Sequence, residues 1–211
     1  MTSVRIRLLV LALLPLVVLL PLMLLLGMGR FTSDYDKILI ANVEGDLRIA
    51  EQYLGTIMAG TGTNVLGLAN SAEFLTLLQA DPAGLSALLA DKRSLYELDF
   101  LYFVEPDRTG APAARWPVIA AAATGALATE IDIFAGQDLS ALSGDLAARA
   151  RIPLFETVAA VPTDRTVEDR GMVVHTASPV GRGGKEGVLV GGILLNRNLD
   201  FIDTINALVY L

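Results

Sequence analysis

Cysteine is absent from this chain, and histidine and tryptophan occur once each, at His175 and Trp116. Without cysteine there is neither a disulfide nor a thiolate zinc site. A single histidine cannot build a multi-histidine metal centre, and no HExxH motif exists, so neither a metal nor another cofactor is expected. Basic residues are scarce as well, with 16 Lys and Arg against 23 Asp and Glu. Arg5, Arg7 and Arg30 all precede the first acid, Asp34, which leaves the remainder more acidic still. Such a balance disfavours nucleic acid and anionic lipid headgroups as partners, because both are held by clusters of Lys and Arg.

Charge is missing altogether from Leu8 to Met28. At about 1.5 Å per helical residue this stretch is about 31 Å long, enough for one crossing of a hydrocarbon core of about 30 Å. Its twelve Leu and three Val give a gross insertion term of about −5 to −9 kcal/mol, which outweighs Pro15, Pro21 and Gly27. Arg5 and Arg7 place residues 1–7 in the cytoplasm by the positive-inside rule, and the rest outside. A cleaved signal peptide is the rival reading, but its apolar region is normally only about 7–15 residues. The expectation is a single-pass protein of the cell inner membrane, held in lipid by residues 8–28, with about 180 residues in the periplasm or outside.

Beyond the apolar stretch, Ser33 and Asp36 have capping-box spacing and predict a helix start. Tyr35, Leu39, Val43, Leu47, Ala50, Leu54 and Ile57 then form one apolar stripe about six turns long. Either the stripe packs on its own domain, or part of it pairs with the same helix of a second subunit in a homodimer. Gly60 to Thr63 reads as a turn, followed by a helix carrying Val65, Leu68, Ala72, Leu75 and Leu78. Asp81-Pro82 opens a third helix, with Asp as N-cap and Pro at the first helical position.

Leu98 to Val104 is apolar on both alternating faces apart from Asp99 and predicts a central strand covered on each side. Glu105 to Gly110 is a turn, and the proline-flanked Ala111 to Pro117 reads as extended. Ile119 to Thr129 is alanine-rich and ambiguous, Asp138 to Arg151 predicts helix, and Pro153 to Ala159 a short strand. A charged loop, Pro162 to Arg170, precedes a hairpin of Met172 to Val180 and Val188 to Leu195. Asn198 then caps a helix with Phe201, Ile202, Ile205, Leu208 and Val209 at helical spacing.

Helices first, then antiparallel strands with helical excursions, predict an α+β fold. On this order of elements, and on the runs LDFLYFVEPDRTG, RGMVVHTASPV and LLNRNLDFIDTIN, the chain resembles the extracytoplasmic Cache sensor domains, PAS-like sheets of bacterial receptors. The likeness is greatest to the N-terminal part of double-Cache sensor histidine kinases. It implies a transmembrane helix at 8–28, a Cache-like sensor domain over 31–197 and the start of a connecting helix at 198–211. It also implies a second module, a second membrane helix and a kinase core after Leu211, so that the chain is expected to be a fragment. A chemoreceptor or a cyclic-dinucleotide enzyme carrying the same module is an alternative, as is an anchored envelope assembly protein or hydrolase.

Catalytic motifs are weak. His175 with Ser178 would sit on one strand without the strained nucleophile turn of a hydrolase. Gly181 to Gly187 is glycine-rich, but Lys185 is followed by Glu186 and the segment joins two strands, so it reads as a hairpin turn and not a phosphate loop. The expected role is ligand binding on the sheet. Arg115 and Trp116 head the candidates, because a guanidinium holds a carboxylate and an indole offers an apolar wall or a cation-π face. The alternative is an Arg snorkelling from a core-filling Trp. Tyr102, Asp164, Arg170 and His175 are further candidates, for a small organic acid or amine.

Overall fold

A computed structural model describes residues 4–209 except Glu156, Ala159, Pro162, Arg182 and Gly183. Within the first helix, the side chains at 4–10, 12, 16, 20, 24–36, 38 and 39 also lie outside the described set, which removes much of Leu8–Met28 together with Ser33, Tyr35, Asp36 and Leu39. Among the described residues, no helix is long and apolar enough to cross a membrane. The chain divides into two units, Met1–Glu51 and Gln52–Leu211.

Helix α1 runs from Val4 to Ala69 with Pro15 and Pro21 inside it. Neither the start expected at Ser33 nor the turn expected at Gly60–Thr63 interrupts it. In the first unit, Ile40, Val43 and Leu47 are exposed. In the second unit, Thr63 Oγ1 donates to the Ala59 carbonyl at 2.8 Å, a bond made within the helix and not in a turn. The break comes later, at Asn70 and Ser71. Ser71 caps α2 (Ala72–Ala80) by accepting from the Phe74 N–H, so Val65 and Leu68 end α1 while Leu75 and Leu78 belong to the next helix. Asp81 caps α3 (Pro82–Leu95) as its sequence predicts.

The chain is α+β. Strands β1 (Phe100–Val104), β2 (Ala128–Phe134), β5 (Gly171–Val180) and β6 (Gly187–Leu194) form an antiparallel sheet in the order β1-β6-β5-β2. β3 (Ile152–Pro153) and β4 (Val167–Glu168) pair separately. The β5–β6 hairpin matches the sequence expectation. β1 does not, since it is an edge strand: its two faces are covered, but among the described residues it pairs with β6 alone. Ala111–Pro117 is helical and not extended, because α4 (Gly110–Arg115) and α5 (Pro117–Ala123) meet at Trp116. Pro112 lies in the first turn of α4 and Pro117 at the first position of α5, where no N–H is required. The helix expected over Asp138–Arg151 is two, α6 (Gly136–Leu142) and α7 (Gly144–Ala150), split by Ser143, which caps the second. Of the strand expected over Pro153–Ala159, only Pro153 is in a strand, and Glu156 and Ala159 lie outside the described residues. Asn198 caps α8 (Leu199–Val209) by accepting from the Phe201 N–H at 3.0 Å.

The register assigns each sheet face its own core. Phe100, Val188, Val190, Leu194, Val173, Ala177 and Phe134 face Val118, Ile119, Leu139 and Leu146 of α5–α7. On the opposite face, Leu101, Leu189 and Val180 meet Val65 and Leu68 of α1, Phe74 of α2 and Leu88 of α3. Each fully buried side chain such as Ile119 or Phe74 contributes roughly 1.5–3 kcal/mol by leaving water. Asp99 joins the layers: its Oδ2 accepts from Arg149 Nη2 and from the Leu194 N–H, both at 2.6 Å.

Candidate functional site

The buried polar chemistry lies on the face covered by α5–α7. β2 and β5 pair with Glu130 opposite His175 and Asp132 opposite Val173, so both acids share the sheet face of His175. The imidazole is fully buried. Its Nδ1 is 2.8 Å from Asp132 Oδ2, and its Nε2 has no hydrogen-bond partner among the described residues. A carboxylate only accepts, so Nδ1 carries the proton and donates it, and Nε2 of the neutral ring presents a lone pair. Burial, which penalises the charged ring, lowers the His175 pKa and is the largest effect, opposed by the hydrogen bond and charge of Asp132 and by the charge of Glu130.

Three aromatic rings enclose the imidazole. Ring centroids of Phe134, Trp116 and Phe100 lie 5.0, 5.5 and 6.1 Å away, all edge-to-face with it. Trp116 also stacks on Phe134 at 4.2 Å. Gly192, opposite His175 on β6, makes the space for Phe100: a Cβ there would lie 2.5 Å from the Phe100 ring. Two of the expected residues, Trp116 and His175, are thus brought together.

Arg115 stands just outside. Its guanidinium is 5.0 Å from the Trp116 ring centre and pairs with Asp138, whose Oδ2 also accepts from the Ala135 N–H. Tyr102 shares the sheet face, with its ring 6.0 Å from that of Phe100, and burial pushes its phenol up to about 12. It also borders a groove of about 720 Å³ beside β1, lined by α3, by Glu105 and Arg108, and by Pro112 of α4. Asp164 and Arg170 are elsewhere. Arg170 precedes His175 by five residues, about 16 Å along a strand. It is spent on Glu168, whose carboxylate takes 2.8 and 2.9 Å bonds from it and another 2.8 Å bond from Arg165. Those bonds hold the Glu168 carboxyl well below the usual carboxylate range. Asp164 borders a separate recess of about 530 Å³ beside Leu154, Phe155 and Val161.

Asp132, Glu130, Phe134 and Phe100 escaped the sequence reading. The signal for the acids is the alternation Glu130-Ile131-Asp132-Ile133, which marks a strand; only the register reveals that its polar side meets the single histidine. Among the described residues, no group of three or more His, Asp or Glu side chains could hold a metal ion. The chain matches no family model, and comparison with curated proteins and with solved structures gives no match.

Proposed function

We propose that the chain is the extracytoplasmic small-molecule sensing module of a membrane-bound two-component sensor histidine kinase, of the Cache-like kind that its sequence resembles. The observation that carries this reading is the buried, half-satisfied His175–Asp132 pair inside an aromatic enclosure on one face of an antiparallel sheet. An imidazole with one nitrogen oriented by a carboxylate and the other buried without a partner among the described residues is suited to holding a ligand's polar group. Anchoring rests on the sequence of residues 8–28 and on Arg5 and Arg7, and places the module outside the inner membrane. A homodimer is supported by the exposed Ile40, Val43 and Leu47 of α1, whose spacing of three and four suits a helix–helix seam.

Signalling follows from the two sides of β5. His175 points to the enclosure, and its neighbour Thr176 points to the other face, where its Oγ1 is 2.7 Å from Thr129 Oγ1, beside Gly62 of α1. A ligand that binds two arrangements of β2 and β5 unequally shifts the seat of the helix by the same free energy, commonly about 1–3 kcal/mol. The test is a thermal-shift screen of the full chain in detergent micelles against small acids, amines and sugars. A ligand at about 100 times its dissociation constant should stabilise by about 2.7 kcal/mol. A screen without hits, or recovery of the chain from soluble cytosol, would overturn the proposal.

A further inference from the structure

His175 Nε2 is a buried acceptor that nothing among the described residues satisfies, a state native interiors seldom keep. The group that completes it must donate a hydrogen bond, because the ring's only proton is committed to Asp132. Two acids, Asp132 and Glu130, share its sheet face, and the Arg115 guanidinium beside Trp116 is held by Asp138. A carboxylate ligand would add a third negative charge to this side of the sheet. An ammonium would instead place its charge opposite Asp132 with the imidazole between them, and its carbon skeleton against rings whose π faces attract cations.

We propose that His175 Nε2 anchors a small organic ammonium ion, and that Trp116 is the lid over this site: its ring packs on Phe134 and on the imidazole and must swing out to admit the ligand. Trp116 fits the lid role because it lies at the α4–α5 junction, is only partly buried, and is stacked on Phe134. The inference rests on the sensing reading and narrows its ligand class.

The sole histidine and sole tryptophan each give an unambiguous signal. The full chain in micelles, labelled with ¹⁵N-histidine, is titrated with butylammonium, butanol and butyrate, which share a skeleton and differ in charge. Butylammonium should move the Nε2 resonance and the Trp116 emission together and saturably, with a dissociation constant about tenfold or more below that of butyrate. Asp132→Asn, verified as folded by its amide spectrum, should weaken butylammonium by about tenfold or more. Finding the proton on Nε2, or Nε2 bonded only to a water that butylammonium does not displace, overturns the proposal. Preference for butyrate refutes the ligand class and leaves sensing intact. A thermal-shift hit that moves neither probe puts the sensing site elsewhere, and the absence of any hit removes the sensing reading as well.

Discussion

Two glycines two positions apart in α1, Gly60 and Gly62, should respond to alanine with opposite signs. Gly60 has no atom within 4 Å of where a Cβ would stand, whereas a Cβ on Gly62 would lie 2.8 Å from Thr129 Oγ1. Both gain the same helix propensity on becoming alanine, about 0.8–1 kcal/mol. For Gly60→Ala that is the whole effect, and Tm should rise by about 2–4 °C. Gly62→Ala also overpacks the contact between α1 and the sheet, at about 1–3 kcal/mol, so its net effect is destabilising by about 0–2 kcal/mol. Thr129→Ala removes the obstructing oxygen. Alone it costs about 0.5–1.5 kcal/mol for the lost Thr176 hydrogen bond, although Thr176 Oγ1 keeps the Ala128 carbonyl at 3.2 Å. Combined with Gly62→Ala it should recover the helix gain, giving a coupling of about 0.5–3 kcal/mol. Chemical denaturation of the four variants measures each term. If Gly62→Ala stabilises as much as Gly60→Ala, α1 does not seat on Thr129 and the proposed coupling route fails.

Further outcomes follow from the site and its supports. Because burial holds the His175 pKa below its ordinary value of 6.5, the unfolded chain binds a proton that the folded one refuses. Stability should therefore be fully present above about pH 6.5 and be lost as pH falls below it; His175→Gln should flatten that part of a Tm-against-pH curve, and an unchanged slope refutes the assignment. Asp99→Ala strips a partner from the Leu194 N–H and from Arg149, and should destabilise by about 1–3 kcal/mol in urea; a cost below about 0.5 kcal/mol would contradict the joining role. Arg115→Ala, at a pair whose guanidinium side chain is 55% exposed, should cost under about 1 kcal/mol, while the lost cation-π contact changes Trp116 emission. Leu47→Asp should shift the sedimenting species from dimer to monomer if α1 forms the seam.

Features fixed by local chemistry were legible from the sequence. Asp81-Pro82 and Asn198 start helices because their side chains and φ angles do so wherever they occur, and the glycine-rich turn between two β-branched runs can only be a hairpin. The misreadings arose where tertiary contact overrides local preference. Gly60 to Thr63 has turn composition, yet Gly62 serves close approach of helix to sheet. Both faces of β1 are apolar because layers cover them, and coverage of faces says nothing about whether a strand lies at an edge. β2 was hidden because it inverts the usual pattern: Ile131 and Ile133 are 39% and 53% exposed, while the Asp132 side chain, at 16%, turns inward to the histidine.

That inversion bears on function. Placing Ile133 outward and Asp132 inward forgoes apolar burial at about 25 cal/mol for each Å² and brings a carboxylate into the core, which costs more unless it is paired. The pairing with His175 offsets the second cost but leaves Nε2 without a partner among the described residues, so the pairing alone does not account for the arrangement. Positions where a sequence breaks its own folding pattern are where a functional or strained site is expected. Adjacent strand residues alternate faces, so the same two strands offer Asp132 and His175 to the enclosure and Thr129 and Thr176 to α1. Any movement of β2 against β5 that accommodates a donor at Nε2 must also move the surface on which Gly62 rests.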